Sequence, residues 1–256
     1  MHRTIGRRSN RAVSANWAST RQTAGHSVNQ VDPPEIRESL IRAERHLAAG
    51  AVGEVEAICA AVIAERPDHP GALTLLGAVA HRAGDMPRAA GLFARVEAVA
   101  PDDPRALVNH GVALLALNDA AAALPKLARA SSIAPSIADT WFNLGRAYQD
   151  LERFDEAIAA YERASALAPN DVQALNNLGA MLLRAGRADE AVRALSQAVR
   201  LRPNYVRGFL NLGEALSSAG QADDAMACFR RVLAMEPGHE AASLRLAQEM
   251  RDRGIY

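Results

Sequence analysis

Residues 138–171 read ADTWFNLGRAYQDLERFDEAIAAYERASALAPND, and this stretch decides the fold. It contains two sets of residues at the spacing of one helix face, separated by a short polar segment and followed by a proline. The first set is Trp141, Leu144, Gly145 and Tyr148. The second set is Ala157, Tyr161 and Ala164, with Pro169 after it. The stretch therefore predicts two short amphipathic helices and a marked exit.

The rest of the chain repeats this unit every 34 residues. The recurring residues are Pro67, Pro101, Pro135, Pro169, Pro203 and Pro237, then Gly77, Gly111, Gly145, Gly179 and Gly213, then Ala89, Ala123, Ala157, Ala191 and Ala225. Three registers without an insertion make coincidence negligible, and a fixed period of this length is typical of repeat architectures. Counted back from the prolines, the chain divides into six blocks: 36–69, 70–103, 104–137, 138–171, 172–205 and 206–239.

The motif Trp–x2–Leu–Gly–x2–Tyr, followed by Ala–x3–Tyr–x2–Ala and a closing Pro, resembles the tetratricopeptide repeat (TPR). The resemblance covers residues 36–256. It implies an all-α fold, a right-handed superhelical solenoid of helix–turn–helix repeats whose first helices line a concave groove. The recurring Gly and Ala fit this fold, because small residues let the backbones of crossing helices approach.

Local signals mark the turns and two departures from them. Glycine, which adopts the left-handed conformation of a helix cap, stands at the end of the first helix at Gly50, Gly84, Gly186 and Gly220. Asn118 takes this place in the third block, whereas Glu152 in the fourth block departs from the pattern. Pro125 lies near the start of the third block's second helix, which is therefore expected to begin late or to bend.

Both ends of the array also depart from the repeat. The first block has Arg42 and Ala43 in place of Leu-Gly, as expected of a terminal repeat. Residues 240–256 carry apolar residues at i, i+4 and i+8 and are expected to form a C-terminal capping helix. Residues 1–35 contain five arginines, no acidic residue before Asp32, and no apolar core of a secretory signal. They predict a disordered basic tail, with an organellar transit peptide as the alternative.

Composition limits the classes of partner. Lys+Arg and Asp+Glu both number 29, so no global field favours nucleic acid or an anionic membrane. No run of 18 apolar residues is present, so no transmembrane helix is expected. Cys59 and Cys228 lie far apart without a ligand cluster and are expected to be free, buried thiols of a reducing, cytoplasmic compartment. A disulfide or a metal site is the alternative.

No reactive constellation is found. The sequence contains no HExxH, GxSxG, P-loop or dinucleotide-binding glycine pattern, and its histidines are scattered over different blocks. Acidic pairs at the starts of second helices, such as Asp155-Glu156, fit the positive end of the helix dipole. We therefore predict no catalytic residue, no metal, no cofactor and no enzyme activity.

One recurring set is not required by packing. Asparagines lie 34 residues apart, each one residue before the apolar or His residue that precedes the recurring glycine: Asn109, Asn143, Asn177 and Asn211. An amide offers donors and an acceptor, so a row of amides suits the backbone of an extended peptide. The row resembles the asparagine ladder in the TPR arm of O-linked N-acetylglucosamine transferases. The alternative is that these amides tie neighbouring helices together by hydrogen bonds.

The predicted groove also contains apolar and arginine side chains, which suit a segment with apolar or acidic residues. These neighbours include Phe142, Arg146, Arg184, Arg207 and Leu210. The lysine that chaperone-binding relatives place in this groove is not matched, because Thr74, Val108 and Phe142 occupy the corresponding positions.

Two functions are open from the sequence. The first is a non-catalytic scaffold or adaptor that binds a peptide segment of a partner protein in the groove. The second is a substrate-recruiting arm for a glycosyltransferase or sulfotransferase acting in trans, because ICAAVIAERPDHPGALTLLG resembles the opening of bacterial TPR proteins with such domains. Self-association through residues 240–256 is a further hypothesis. Nucleic acid and membranes are not expected as partners.

Overall fold

The structure is a computed structural model that describes residues 32–254, and that range contains thirteen α-helices and no β-strand. The predicted all-α class is confirmed: the chain is a solenoid of helix–turn–helix repeats. The prediction of a disordered tail falls almost entirely on residues 1–31, which lie outside the described residues.

The helix bounds repeat with the period of the sequence. The first helices of the repeats are α1 (Pro34–Ala49), α3 (Pro70–Arg82), α5 (Pro104–Ala116), α7 (Ala138–Asp150), α9 (Val172–Arg184), α11 (Val206–Ser218) and α13 (Glu240–Asp252). The second helices are α2 (Val52–Glu65), α4 (Met86–Val99), α6 (Ala120–Ile133), α8 (Phe154–Leu167), α10 (Ala188–Leu201) and α12 (Ala222–Met235). From α4 onward each helix begins 34 residues after its equivalent in the preceding repeat.

The chain divides into two compact units, one that ends at Leu117 and one that begins at Asn118. In the first unit, α1, α2, α3, α4 and α5 pack in chain order, each of the first four against the helix that follows it. Its core includes Leu40, Val55 and Phe93. In the second unit, α6 to α13 pack in the same sequential way around Tyr161, Leu195 and Phe229.

The recurring glycines form holes that large side chains of the paired second helix fill. A Cβ atom at Gly145 would lie 2.8 Å from the Tyr161 ring, and one at Gly77 would lie 2.5 Å from Cε1 of Phe93. Gly213 holds Phe229 in the same way. In each of these three pairs the filling residue lies 16 positions after its glycine. The glycines therefore admit a bulky side chain rather than only close backbones, and any larger residue would overpack the crossing.

The turn at Glu152 keeps the geometry of the other repeats despite its departure in sequence. Glu152 adopts φ 58° and Asn118 φ 61°, close to φ 80° at Gly84. A non-glycine residue in this region costs about 1–2 kcal/mol. Two capping hydrogen bonds offset that cost, from Glu152 N to Gln149 O (3.0 Å) and from Arg153 N to Tyr148 O (2.9 Å).

The expected late start of the helix that contains Pro125 is wrong. α6 begins at Ala120 and has 14 residues, the same length as α4 and α8. Pro125 removes the hydrogen bond that the carbonyl of Ala121 would accept. Both residues are exposed, so water can satisfy that carbonyl and the helix continues through the proline.

Second helices also bind the loop that leaves the preceding repeat. Arg95 Nη2 donates to the Pro67 carbonyl (2.6 Å) and to Asp68 Oδ1 (2.9 Å), and Gln197 Nε2 donates to the Pro169 carbonyl (2.9 Å). Both donors lie 28 residues after the proline. At Pro135 the carbonyl accepts from Trp141 Nε1 (2.9 Å), so the half-buried Trp141 serves this loop as well as the packing face assigned from the sequence.

Candidate functional site

Three of the four predicted asparagines lie in the second unit, on its first helices. Asn143, Asn177 and Asn211 are the sixth residues of α7, α9 and α11, and all three are half-buried. Asn109 is the sixth residue of α5 in the first unit and is also half-buried. The shared helix position follows from the unbroken 34-residue period.

Asn143 is held by its own helix. Its Nδ2 donates to the carbonyl of Asp139, one turn earlier, at 2.8 Å. Its Oδ1 lies 3.4 Å from Nη1 of Arg146, which is half-buried on the next turn. The amide is therefore fixed in orientation while both its nitrogen and its oxygen keep unused hydrogen-bonding capacity.

Asn177 joins three elements of the second unit. Its Oδ1 accepts from Arg207 Nη2 on α11 at 2.9 Å, and its Nδ2 lies 3.4 Å from the hydroxyl of Tyr161 on α8. That hydroxyl donates to Gln149 Oε1 on α7 at 3.0 Å. The alternative reading, in which these amides tie neighbouring repeats together, thus describes real contacts of Asn177.

A buried amide, Asn176, completes the cluster. Its side chain is fully buried and lies 2.9 Å from the amide of Asn211. With the Asn176 oxygen turned towards the guanidinium, it accepts from Arg207 Nη2 (2.9 Å) and Nε (3.3 Å). We call the set Gln149, Tyr161, Asn176, Asn177, Arg207 and Asn211 the amide network.

The charges around the Tyr161 hydroxyl are mixed. Burial raises the pKa of Tyr161 well above its ordinary value, and the positive charge of Arg146 is the largest effect that opposes the rise. Arg207 and the hydrogen bond from Asn177 act in the same direction as Arg146, whereas Asp150 raises this pKa further. Burial also raises the pKa of Asp150, and Arg146 opposes that rise. Two cations and one carboxylate therefore act on the same hydroxyl.

The other predicted site residues have packing contacts. Phe142 and Leu210 are half-buried against the core of the second unit, and the Phe142 ring centroid lies 5.8 Å from that of Tyr161. Arg184 is exposed, and its guanidinium stacks over the Phe154 ring at 4.8 Å. None of these three residues belongs to the amide network.

Sequence reasoning missed three members of the network. Asn176 stands where other first helices carry Phe142 or Leu210, and this polar residue at an apolar register was the available signal. Tyr161 was assigned to packing alone, although its equivalents Phe93 and Phe229 lack a hydroxyl. Gln149 gave no signal, because its equivalents in other repeats differ widely.

The cysteines are free and buried, as predicted. Burial raises the pKa of each thiol to about 11. In residues 32–254, no three His, Cys, Asp or Glu side chains gather closely enough to hold a metal ion. None of the helices in that range combines the length and the apolar character that crossing a membrane requires.

The predicted capping helix corresponds to α13, which packs on α12 through the buried Ala242 and places Leu246 against the core of the second unit. Leu244 on the same helix is 68% exposed. Gly254 follows with φ 67°, in register with the caps of the preceding repeats. Self-association through this helix stays a prediction.

The period, the glycine holes and the left-handed caps define the class: this is a tetratricopeptide repeat protein. Residues 18–254 match the family described as the cilia and flagella-associated protein 70 C-terminal domain, and the chain belongs to that family. No curated protein matches the chain significantly.

Solved structures share the fold at low sequence identity. The MamA protein is 23% identical with a TM-score of 0.60, over 66% of this chain and 92% of MamA. YrrB, described as a TPR protein with an unusual peptide-binding site, is 18% identical with a TM-score of 0.65, over 73% of this chain and 96% of YrrB. A chain of the APC/C hetero-tetramer Cut9–Hcn1 is 16% identical with a TM-score of 0.67, over 84% of this chain and 42% of that one.

Proposed function

We propose that this chain is a non-catalytic protein-interaction scaffold that binds an extended segment of a partner protein along the first helices of its second unit. In this proposal Asn143, Asn177 and Asn211 bind the backbone of the segment, and Phe142 and Leu210 contact its side chains. The observation that carries the proposal is the set of three half-buried amides at one helix position, held in place by hydrogen bonds to the backbone or to neighbouring side chains.

The contacts of these asparagines support a binding role because they fix the amides without exhausting them. An Asn side chain has two N–H donors and an oxygen with two lone pairs. Asn143 uses one donor on Asp139 and has a long contact to Arg146, and Asn177 accepts one short hydrogen bond from Arg207. Groups that are already oriented lose less conformational entropy on binding than free side chains do.

Backbone hydrogen bonds would make the site tolerant of sequence, and the flanking side chains would select among segments. Asn109, which lies on the first unit, stays a prediction from the sequence. A structural neighbour with this fold, YrrB, is described as having an unusual peptide-binding site, which makes peptide binding a reasonable use of such repeats.

A non-catalytic role fits the state of the two cysteine thiols among the described residues. Cys59 and Cys228 are buried, and a pKa of about 11 keeps both thiols protonated near neutral pH. A thiol in that state is a poor nucleophile. Recruitment of substrates for a transferase in trans would use the same surface and would appear as copurification with a catalytic partner.

Selection from a library of random seven-residue peptides, followed by calorimetric titration of the selected peptides, tests the proposal. We expect Asn143→Ala/Asn177→Ala to weaken the selected peptides by about tenfold or more, since two hydrogen-bonding groups are lost. The matched control is Asn170→Ala/Asn204→Ala, which removes two exposed asparagines from the loops between repeats. Equal affinity of the selected peptides for wild type and the Asn143/Asn177 variant would overturn the proposal.

A further inference from the structure

Arg207 is an exposed arginine whose guanidinium is hydrogen-bonded to uncharged amides, one of them buried. It is the second residue of α11, and its guanidinium reaches back to the amides of Asn177 and Asn176 on α9. Asn176 is 0% exposed, whereas Arg207 is among the exposed residues. The guanidinium is therefore held by these amides on one side, while the residue stays exposed to solvent.

The partners of Arg207 orient its charge but do not neutralise it. Other arginines of the second unit pair with carboxylates, as in Arg153–Glu156, Arg187–Glu190 and Arg245–Glu214. Within residues 32–254, the hydrogen bonds of Arg207 go to amide oxygens. A guanidinium has five N–H donors in a fixed fork that matches a carboxylate, and the amides use only part of that fork.

A second arginine adds to this positive charge. Arg146 on α7 contacts Asn143 through a neutral amide oxygen, and its charge acts on the same Tyr161 hydroxyl as that of Arg207. Asp150 offsets part of this charge. Two guanidinium groups and one carboxylate therefore act on the hydroxyl that lies beside Asn177.

We infer that the segment bound along Asn143, Asn177 and Asn211 carries an acidic side chain, and that the Arg207 guanidinium binds its carboxylate. This inference rests on the proposed function, because it names the chemistry of the ligand for the same surface. The occupant is a short acidic segment of another protein in extended conformation.

The length of the segment follows from repeat geometry. α9 and α11 pack against each other, and packed helices lie about 8–10 Å apart, so three first helices at this spacing span about 20 Å. An extended chain advances about 3.3 Å per residue, so about six residues cover that distance. The acidic residue sits near the Asn177–Asn211 end of the segment, where Arg207 projects.

The test uses the same seven-residue random library on the full chain, selected in parallel with wild type and with Arg207→Gln. Wild type is expected to enrich Asp and Glu at one position of the peptide, and Arg207→Gln is expected to lose that enrichment. The best acidic peptide should bind Arg207→Gln about tenfold more weakly, as expected for one charge-assisted hydrogen-bonded pair. Replacing the peptide's acidic residue by its amide should cost wild type as much and cost Arg207→Gln little.

Arg200→Gln is the matched control, because Arg200 is an exposed arginine on the second helix α10. Circular dichroism of each variant establishes that it is folded. Selected peptides without acidic enrichment, which still depend on Asn143 and Asn177, would overturn the inference and leave the proposed function standing. Failure to select any peptide would overturn both. Acidic peptides that bind Arg207→Gln as tightly as wild type would also overturn the inference.

Discussion

The second and fourth repeats contain the same glycine hole with different polar surroundings. In the second repeat Phe93 fills the hole at Gly77, and His81, twelve residues earlier, has a buried Nε2 atom without a hydrogen-bond partner among the described residues. In the fourth repeat Tyr161 fills the hole at Gly145, and its hydroxyl donates to Gln149, which is also twelve residues earlier.

One oxygen atom therefore changes the role of an interior side chain. Phe93 contributes packing, whereas Tyr161 contributes packing and also links Gln149 to Asn177. This link connects the core of the fourth repeat to the candidate site. The side chain in the hole therefore contributes only to packing in the second repeat, and to both packing and the site in the fourth. Substitutions at the two glycines, Gly77 and Gly145, and at the two rings, Phe93 and Tyr161, separate the two roles.

Removing the side chain that fills the hole should have the largest effect in both repeats. Tyr161 is 0% exposed and Phe93 is 4% exposed, so Tyr161→Ala and Phe93→Ala should each cost about 3–5 kcal/mol of unfolding free energy. Urea denaturation measures the loss. A cost below about 1 kcal/mol at either position would contradict the equivalence of the two holes.

Closing the hole from the other side should cost less. Gly145→Ala and Gly77→Ala place a Cβ at 2.8 and 2.5 Å from the opposing ring, so we expect each to cost about 1–3 kcal/mol through overpacking. Gly91→Ala is the control, since a Cβ there meets nothing within 4 Å. That substitution should stabilise α4 by about 0.5–1 kcal/mol, because alanine favours helix over glycine. A higher melting temperature for Gly77→Ala than for Gly91→Ala would show that Gly77 does not face a filled hole.

Exchanging the two ring types tests the hydroxyl alone. Tyr161→Phe leaves Gln149 and Asn177 without that partner and should cost about 1–2 kcal/mol. If positions 81 and 93 are placed as Gln149 and Tyr161 are, Phe93→Tyr offers a donor to the buried Nε2 of His81 and should stabilise by about 0.5–1 kcal/mol. The same urea titration resolves both changes. Destabilisation by Phe93→Tyr would mean that the His81 site does not match the Gln149 site.

The sequence predicted the helices well because the fold depends on nearest-neighbour packing with a fixed period. Glycine, proline and alanine registers recur because each repeat poses the same packing problem, so one repeat such as 138–171 defines the others. The turn at Glu152 keeps the geometry of the other repeats although glutamate disfavours the left-handed conformation. Capping hydrogen bonds hold the residue in that conformation.

The candidate site was predictable only in part, because side-chain networks depend on single substitutions. The 34-residue spacing identified Asn143, Asn177 and Asn211, but it could not show that Asn177 contacts Arg207 from the following repeat. Asn176 breaks a register rather than follows one, and a periodic search passes over such residues. The contacts that distinguish one repeat from another lie in these departures from the repeat.

The smallest effect is expected from the pH dependence of His81. Burial lowers the pKa of His81 from its ordinary value of 6.5, so the folded state favours the neutral imidazole. Above about pH 6.5 the imidazole is neutral in both states and stability is unaffected. As the pH falls below that value, the unfolded chain takes up a proton that the folded chain resists, and stability is lost.

His81→Gln, which installs the residue of the fourth repeat, should reduce this loss. Melting of both proteins at about pH 7.5 and 5.5 measures the difference, since all other titrating groups are shared. An equal decrease in both proteins would show that His81 does not resist protonation in the folded state, and the polar contrast between the two repeats would then reside in Tyr161 alone.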